Sequence, residues 1–571
     1  MAPKVGVYIC HCGINIAHTV DVEAVAQAAQ ELPNVTVARD YIYMCSDPGQ
    51  QLIQDDIREL GLNRVVVASC SPRMHELTFR RVVQAAGLNP YFLQIANIRE
   101  QCSWVHSDRE SATEKAQGIV SSAVARACLL QPLEERDTEV TPAALVIGGG
   151  IAGLQASLDI ADAGFKAYLV EKQATVGGHV AQLARTFPTL DNVQTLLAEL
   201  VERAQAHPNI DLLTNSRVLE VDGFIGNFRA QVGAQPSDSL PETTAELAVG
   251  AIIVATGFDV FDASLKSEFG YGAYESVITG PELEERLMES EASNGASPLG
   301  DGAIKDVVFI QCVGSRDRNL GNAYCSRVCC MSTAKQAHLV REELPDARIT
   351  VFYTDVRAFG KGFEEFYDRV REERVLYRRG NPSEIYKRGE RLVVRAEDTL
   401  LGKPVEVEAD LVVLATGLVP RSDADEIGSL LKLSRSQDGF LMELHPKLGP
   451  VDTTTDGVFL AGCCQGPKDI TDTIAQAKAA ASSALIPLSV GRVRVESITC
   501  AVDPLLCSGC GLCAEACVYG ALVLDEHRGI MTANQVLCKG CGACSTACPS
   551  GAIVLNHFTP DQILAEVESV I

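Results

Sequence analysis

Eight cysteines near the C-terminus constrain this chain more than any other feature. From Cys507 the sequence reads CSGCGLCAEAC, placing Cys507, Cys510, Cys513 and Cys517 in a C-x2-C-x2-C-x3-C run. From Cys538 it repeats as CKGCGACSTACP, placing Cys538, Cys541, Cys544 and Cys548 ahead of Pro549. This is the bacterial two-cluster spacing, in which the fourth cysteine of each run ligates the other run's cluster. The expected ligand sets are Cys507, Cys510, Cys513 and Cys548 for one 4Fe–4S cluster, and Cys538, Cys541, Cys544 and Cys517 for the second. Gly509, Gly511, Gly540 and Gly542 let the backbone curl around each cage and aim amides at its sulfur. A zinc site would want two C-x2-C pairs set further apart. Residues 498–555 read as one module, and Thr559-Pro560 caps a short helix after it.

The chain has 21 cysteines in 571 residues. No basic, apolar leader stands at its start, so disulfides explain them poorly and metal or redox chemistry explains them better. The apolar fraction of 47% supports packed cores, and charge or glycine interrupts each apolar stretch before it reaches membrane-spanning length. A soluble intracellular protein is expected. The net charge of −25 argues against nucleic acid, whose phosphates call for Lys and Arg.

The middle of the chain carries a dinucleotide fingerprint. An apolar strand at 144–147 runs into Gly148, Gly150 and Gly153 and then a helical pattern beginning Ile151-Ala152; a second strand leads to Glu171 and Lys172. Strand, glycine turn, helix and an acid 18 residues past the last glycine place a ribose and a pyrophosphate. AIIVATG (251–257, ending Thr256-Gly257) and LVVLATG (411–417) are strand-plus-turn segments of two-dinucleotide-domain flavoproteins. TTTDGVFLAGC (453–463) leads through Gly462 to a helix starting near Asp469-Ile470; the resemblance of these segments to the flavoprotein superfamily implies that its positive end faces the flavin's pyrimidine edge. This order of segments resembles the thioredoxin-reductase-like flavoproteins, with FAD as the cofactor and a second dinucleotide-type domain inserted. Gly178 and His179, in GGH, are further candidate FAD contacts, a structural hydrogen bond being the other reading of His179.

The inserted domain lacks what NAD(P)H would need. After its first strand at 306–311, the glycine-rich loop is replaced by a block holding Cys312, Cys325, Cys329 and Cys330. Gly314 alone does not make a pyrophosphate turn. A C-x12-C-x3-C-C iron–sulfur site is expected there; buried reduced cysteines are the alternative. Residues 1–135 alternate strands with helical stretches, and VGVYIC, ARDYIYMC, NRVVVASC and YFLQIANIREQC each end at a cysteine. In a parallel sheet these ends share one edge, which would gather Cys10, Cys45, Cys70 and Cys102, with Cys12 nearby, around another 4Fe–4S cluster. Packing or redox cysteines in a worn-down sheet domain are the other reading, and the sequence leaves open which four of the five would serve. Cys128 reads as core.

CHCG (10–13), SCSPRMHE (69–76), GGGIAG (148–153), GGHVAQLARTFPTLD (177–191), the 312–330 block, GCCQGPKDI (462–470) and the double ferredoxin run together resemble the A subunits of heterodisulfide reductases, over nearly the whole chain. The resemblance implies an α/β fold: a thioredoxin-reductase-like FAD core with an N-terminal α/β domain and a C-terminal two-cluster ferredoxin domain. The expected domains are 1–135, an FAD domain in two halves (140–264 and 426–490), an inserted α/β domain (265–425), the ferredoxin domain (495–557) and a closing helix (558–571). It further implies a cytoplasmic electron-transfer protein that splits electron pairs between a disulfide-type acceptor and ferredoxin. Its partners would be B- and C-type subunits and a hydrogenase, formate dehydrogenase or NADH-oxidising flavoprotein, with a homodimer inside a larger complex. Cys312, Cys325, Cys329 and Cys330 would bind the cluster nearest the flavin, and Lys468 would place a cation by the isoalloxazine.

Two departures from the family pattern stand out. A short polar stretch, 233–247, occupies the place of an additional ferredoxin insert, and Asn192 follows FPTLD where many members have a cysteine. A plain conduit for another redox enzyme, such as an aromatic acyl-CoA reductase or a sulfur-metabolism complex, is the alternative function; an NAD(P)H oxidoreductase is a weaker one.

Overall fold

The computed structural model describes residues 2–234, 244–292, 299 and 304–570. Most of the 233–247 stretch lies outside the described residues. The chain divides into two compact units, one made of Met1–Asp137 with Arg494–Ile571 and the other of Thr138–Val493.

The first unit opens with a four-stranded parallel sheet. Its strands, Val35–Tyr41, Val5–Cys10, Arg64–Ser69 and Leu93–Asn97, lie side by side in that order. Val5–Cys10 is buried at every position, as the near-continuous apolar run of a central parallel strand requires. Two strands stop short of the cysteines that end their sequence patterns. Val35–Tyr41 gives way to a turn before Cys45, and Leu93–Asn97 is followed by a single π-helical turn, Arg99–Ser103, that carries Cys102.

The same unit holds the cysteine-run module. Cys500–Val502 pairs antiparallel with Ile553–Leu555, and Leu522–Asp525 pairs with Ile530–Ala533. The core between these ribbons includes Cys513, Cys538, Cys544, Ala521, Met531 and Ile553, so the cysteines supply much of the packing. The expected closing helix forms over Pro560–Glu568, with a capping box between Thr559 and Gln562. It packs on the helix Arg109–Cys128. Arg126 fastens that contact: its guanidinium donates to His557 O at 2.6 Å and to the Glu566 carboxylate at 3.0 Å, and lies over the Phe558 ring. His557 Nε2 donates to Gln131 O at 2.9 Å.

The second unit contains two five-stranded parallel sheets. One runs Val458–Leu460, Ala251–Val254, Ala143–Ile147, Lys166–Val170, Ile210–Leu213. The other runs Val277–Thr279, Leu411–Thr416, Asp306–Val313, Arg348–Tyr353, Val375–Arg379. Val458 returns beside Ile252, so the first sheet is completed only after the chain has built the second. The two passages between them, Asp259–Val260 and Leu418–Val419, pair antiparallel. Among the described residues no helix is long and apolar enough to cross a membrane.

Replacing Arg126 by Ala removes two charge-assisted bonds, each worth about 1.5–3 kcal/mol. Amide exchange in Pro560–Glu568 of the Arg126→Ala variant should rise at least tenfold over the wild-type chain; unchanged exchange would show that the contact is not what holds the helix. Burial also holds the His557 pKa below its ordinary value. The neutral ring's contribution to stability is therefore complete above about pH 6.5 and declines as pH falls through that value. His557→Gln should remove that pH dependence.

Candidate functional site

The first sheet of the second unit prepares a cradle at its carboxyl edge. Gly148, with φ at +108°, turns the chain out of the strand where a Cβ would strike the Ala255 carbonyl. A Cβ on Gly153 would collide with Gly148 O, so the turn and the first helical turn close on each other only through glycine. Gly150 caps the helix Ile151–Asp162 without a side-chain bond, and the space over it is open. The first amides of that helix are thus left for an anionic group.

These residues form one wall of a cavity of about 300 Å³. Of the expected FAD contacts, Gly148, Gly150, Ile151, Ala152, Glu171, Lys172, Gly178, His179, Thr256, Gly257, Asp469 and Ile470 line it. Gly153 and Gly462 do not: Gly153 supports the turn from behind, and Gly462 accepts the Lys468 ammonium at 2.9 Å through its carbonyl. Glu171 accepts from Gly149 N at 2.6 Å and from Gln173 N at 2.8 Å, which fixes its carboxylate at the rim. His179 also has a structural role, donating Nε2–H to Phe258 O at 2.8 Å and stacking on that ring. The glycine cradle, the uncapped helix start and the placed acid fit a flavin dinucleotide.

The same cavity is lined by the start of the helix Ile470–Val490, capped by Asp469, which accepts from Asp472 N at 2.8 Å. Lys468 precedes it, 8% exposed, its Nζ donating to Gly462 O, Gly466 O at 2.7 Å and Gln465 Oε1 at 3.1 Å. Every one of these acceptors is neutral. Burial therefore dominates and lowers the Lys468 pKa, although the neighbouring Cys463 and Cys464 thiols pull the other way. Cys463 and Cys464 are free, each thiol against a backbone carbonyl (Lys468 O and Val254 O).

The cavity also reaches an ion pair that sequence reasoning missed. Lys335 and Glu284 meet at 2.7 Å with both side chains 1% exposed. Lys335 also donates to Arg185 O, and Glu284 accepts from Ala184 N and Gln336 Nε2. The two residues lie 51 positions apart on different helices, and no local pattern links them. The only local signal is that Lys335 follows the small residues Ser332, Thr333 and Ala334.

The four cysteines of the inserted domain come together at the end of the strand Asp306–Val313 and the start of the helix Cys329–Glu343. Burial pushes the Cys312 thiol up to about 11, with Cys330 and Cys325 adding to it. Cys329 is raised well above its ordinary value by burial and then by Cys312, Cys330 and Cys325. Cys329 also lines the dinucleotide cavity. At the N-terminal sheet Cys10, Cys12, Cys45 and Cys70 lie close together: burial raises the Cys10, Cys45 and Cys70 thiols, Cys70 to about 11, and the proximity of Cys12 adds to each. Arg99 Nη1 donates to Cys12 Sγ at 3.3 Å.

Cys102 does not join them. It is fully buried and its thiol faces Ala112 O at 3.0 Å, because the π-helical turn swings it from the sheet edge into the core beneath the helix Arg109–Cys128. That corrects the expectation that all four strand patterns deliver a cysteine to one place. In the C-terminal module Cys517, Cys538, Cys541 and Cys544 line one small cavity, together with Cys500, which stands outside the ligand spacing. Cys513 senses Cys548 and Cys507. Among the described residues no group of His, Cys, Asp or Glu forms a site for a single metal ion. The all-thiol donor sets are those that iron–sulfur clusters use.

Residues 142–484 match the family described as pyridine nucleotide-disulphide oxidoreductase, and residues 506–552 match the 4Fe-4S dicluster domain. FAD and 4Fe–4S clusters are accordingly the cofactors. The chain is 47% identical to the A subunit of the H(2):CoB-CoM heterodisulfide,ferredoxin reductase of Methanothermobacter marburgensis, covering 100% of this chain and 97% of that protein. It is 44% identical to the iron-sulfur A subunit of the CoB--CoM heterodisulfide reductase of Methanocaldococcus jannaschii, covering 100% and 99%. These alignments run to 645 and 656 positions against a chain of 571, so both relatives carry residues without a counterpart here. A solved structure, the thioredoxin reductase of T. acidophilum, matches at a TM-score of 0.42 and 17% identity, covering 61% of this chain and 99% of that one. The chain belongs to the family of heterodisulfide reductase A subunits, which are flavin and iron–sulfur oxidoreductase proteins.

Proposed function

We propose that this chain is the hub of a heterodisulfide-reductase-type complex and divides electron pairs between a disulfide-type acceptor and ferredoxin. The observation that carries this reading is Cys329, which belongs at once to the dinucleotide cavity and to the four-thiol group replacing the nicotinamide loop. A cluster held by these thiols would stand beside the dinucleotide cavity, where a nicotinamide would otherwise exchange hydride. The names of relatives, which join a heterodisulfide to ferredoxin and H(2), and in one case to formate as well, support the same reading. B- and C-type subunits and a hydrogenase, formate dehydrogenase or NADH-oxidising flavoprotein are the partners it implies.

Bound FAD supplies the exchange between two-electron and one-electron chemistry, and the clusters supply one-electron relay. The chain's own residues do the placing. Gly148, Gly150 and the uncapped helix start would hold the pyrophosphate, and Glu171 the ribose. Lys468 and the start of the helix Ile470–Val490 would set positive potential at one end of the cavity, while the Lys335–Glu284 pair braces its wall. Cys312, Cys325, Cys329 and Cys330 would hold the adjacent cluster; Cys10, Cys12, Cys45 and Cys70 another; and the crossed sets of the C-terminal module the remaining two. Asn192, where many members of the family have a cysteine, caps the helix Val193–Ala206 by accepting from Thr195 N at 3.0 Å.

In the assembled complex, ferredoxin should be reduced only while a disulfide is being reduced. Reduction of ferredoxin at the same rate without disulfide would make the chain a plain conduit. NAD(P)H added to the isolated chain should leave the flavin absorbance unchanged, and prompt bleaching would reinstate a nicotinamide site.

The Cys329→Ala variant should retain FAD and lose about four irons per chain, as one 4Fe–4S cage requires; unchanged iron would remove the adjacent cluster from the scheme. Lys468→Met should lower the flavin's reduction equilibrium about tenfold. Because burial lowers the Lys468 pKa, its cation is present at low pH and lost as pH rises through a value below that of an ordinary lysine. The wild-type flavin potential should fall more steeply with pH in that window than that of Lys468→Met, and parallel curves would show that the ammonium does not act on the flavin.

A further inference from the structure

The C-terminal module is an internal repeat with an offset of 31 residues. Moving Cys507, Cys510, Cys513 and Cys517 forward by that offset gives Cys538, Cys541, Cys544 and Cys548. The structure obeys the same offset outside the ligands. A Cβ on Gly509 would strike Gly529 O and a Cβ on Gly540 would strike Ile498 O, at matching places in the two halves. Met531 N donates to Cys507 Sγ at 3.3 Å, and its mate, Cys500 N, donates to Cys538 Sγ at 3.4 Å. The backbone therefore treats the two cages alike.

The side chains at that position do not. Met531 is 2% exposed and Cys500 1% exposed, so both point into the module's interior. A thioether has no hydrogen to donate, whereas a thiol has one. Cys500 Sγ lies 3.7 Å from Cys538 Sγ, also reaches Cys544, and lines the cavity shared by Cys517, Cys538, Cys541 and Cys544. With Cys538 and Cys544 bound to iron as thiolates, those sulfurs can only accept. Cys500 lies outside the ligand spacing and is buried as a free thiol, so the hydrogen between the two sulfurs is its own and it is the donor.

We propose that Cys500 is a non-ligating thiol that donates S–H to the Cys538 thiolate and raises the reduction potential of its cluster above that of the cluster on the Met531 side. Reduction adds negative charge to the cage, and a donor aimed at its sulfur stabilises the more negative state. This buried difference acts in the same direction as Lys539, which stands beside Cys538 where Ser508 stands beside Cys507, so an electron shared between the two clusters rests on the Cys500 side.

The inference rests on the ligand sets proposed above, and full-length chain prepared without oxygen tests it by iron analysis and redox titration followed by electron paramagnetic resonance. Cys500→Met, which installs what the other half uses, and Cys500→Ala should both keep the wild-type iron content. One titrating component should move to a lower potential by about tenfold in its equilibrium, about 59 mV for a one-electron couple. Met531→Cys should move a different component upward. Loss of iron in both Cys500 variants would make Cys500 a ligand and overturn the proposal, as would full iron with no component shifted. Cys538→Ala separates the two layers: if that variant keeps all its iron, the ligand sets fall rather than the donor.

Discussion

A thiolate buried in protein is unstable unless a cation sits against it, and this constraint governs where the chain puts its cysteines. Burial raises the Cys312, Cys329 and Cys70 thiols and neighbouring thiols add to it, more than Arg316 beside Cys312 or Arg99 beside Cys70 offsets. Iron reverses that balance, because coordination takes the proton's place and brings its own charge. Cluster assembly is thereby tied to the folded state: the residues that hold each cage are also packing residues of a core. The C-terminal module shows it most plainly, since Cys513, Cys538 and Cys544 are among the few large buried groups between two short ribbons.

The dinucleotide cavity uses the opposite kind of charge in the same way. Lys468 is buried among neutral oxygens, so its ammonium is poised rather than neutralised. Lys335, by contrast, is matched to Glu284 at 2.7 Å and bound into the backbone at Arg185. A matched buried pair of this sort fixes geometry more than it adds stability. One lysine thus belongs to the electrostatics of the cavity and the other to the rigidity of its wall.

The parts legible in the sequence were those whose chemistry depends on local spacing. Three thiols within a seven-residue loop, or glycines that must let a strand meet a helix, need no knowledge of the rest of the chain. The parts that were not legible depend on where an element stops. Cys45 and Cys102 both close apolar patterns, yet a turn keeps Cys45 beside Cys10 and Cys12 while one π-helical turn carries Cys102 into the core. Burial pattern alone does not distinguish these outcomes, because both cysteines follow a strand of the same sheet. The Lys335–Glu284 pair was hidden for another reason: it forms across two helices and acquires meaning only in the cavity they share. Cys500 escaped notice because it lies outside the ligand spacing, although the repeat offset pairs it with Met531.

The first compact unit is made from both ends of the chain, with Arg126 and Gln131 from the early part bonded to His557 and Glu566 from the late part. During synthesis the sheet that emerges first must wait, with this flank uncovered, until more than four hundred further residues have left the ribosome. Completion of this unit consequently follows synthesis of the whole segment between its two parts. A truncation that spares every residue of the flavin-binding segment would still strip the opposite end of the polypeptide of its cover.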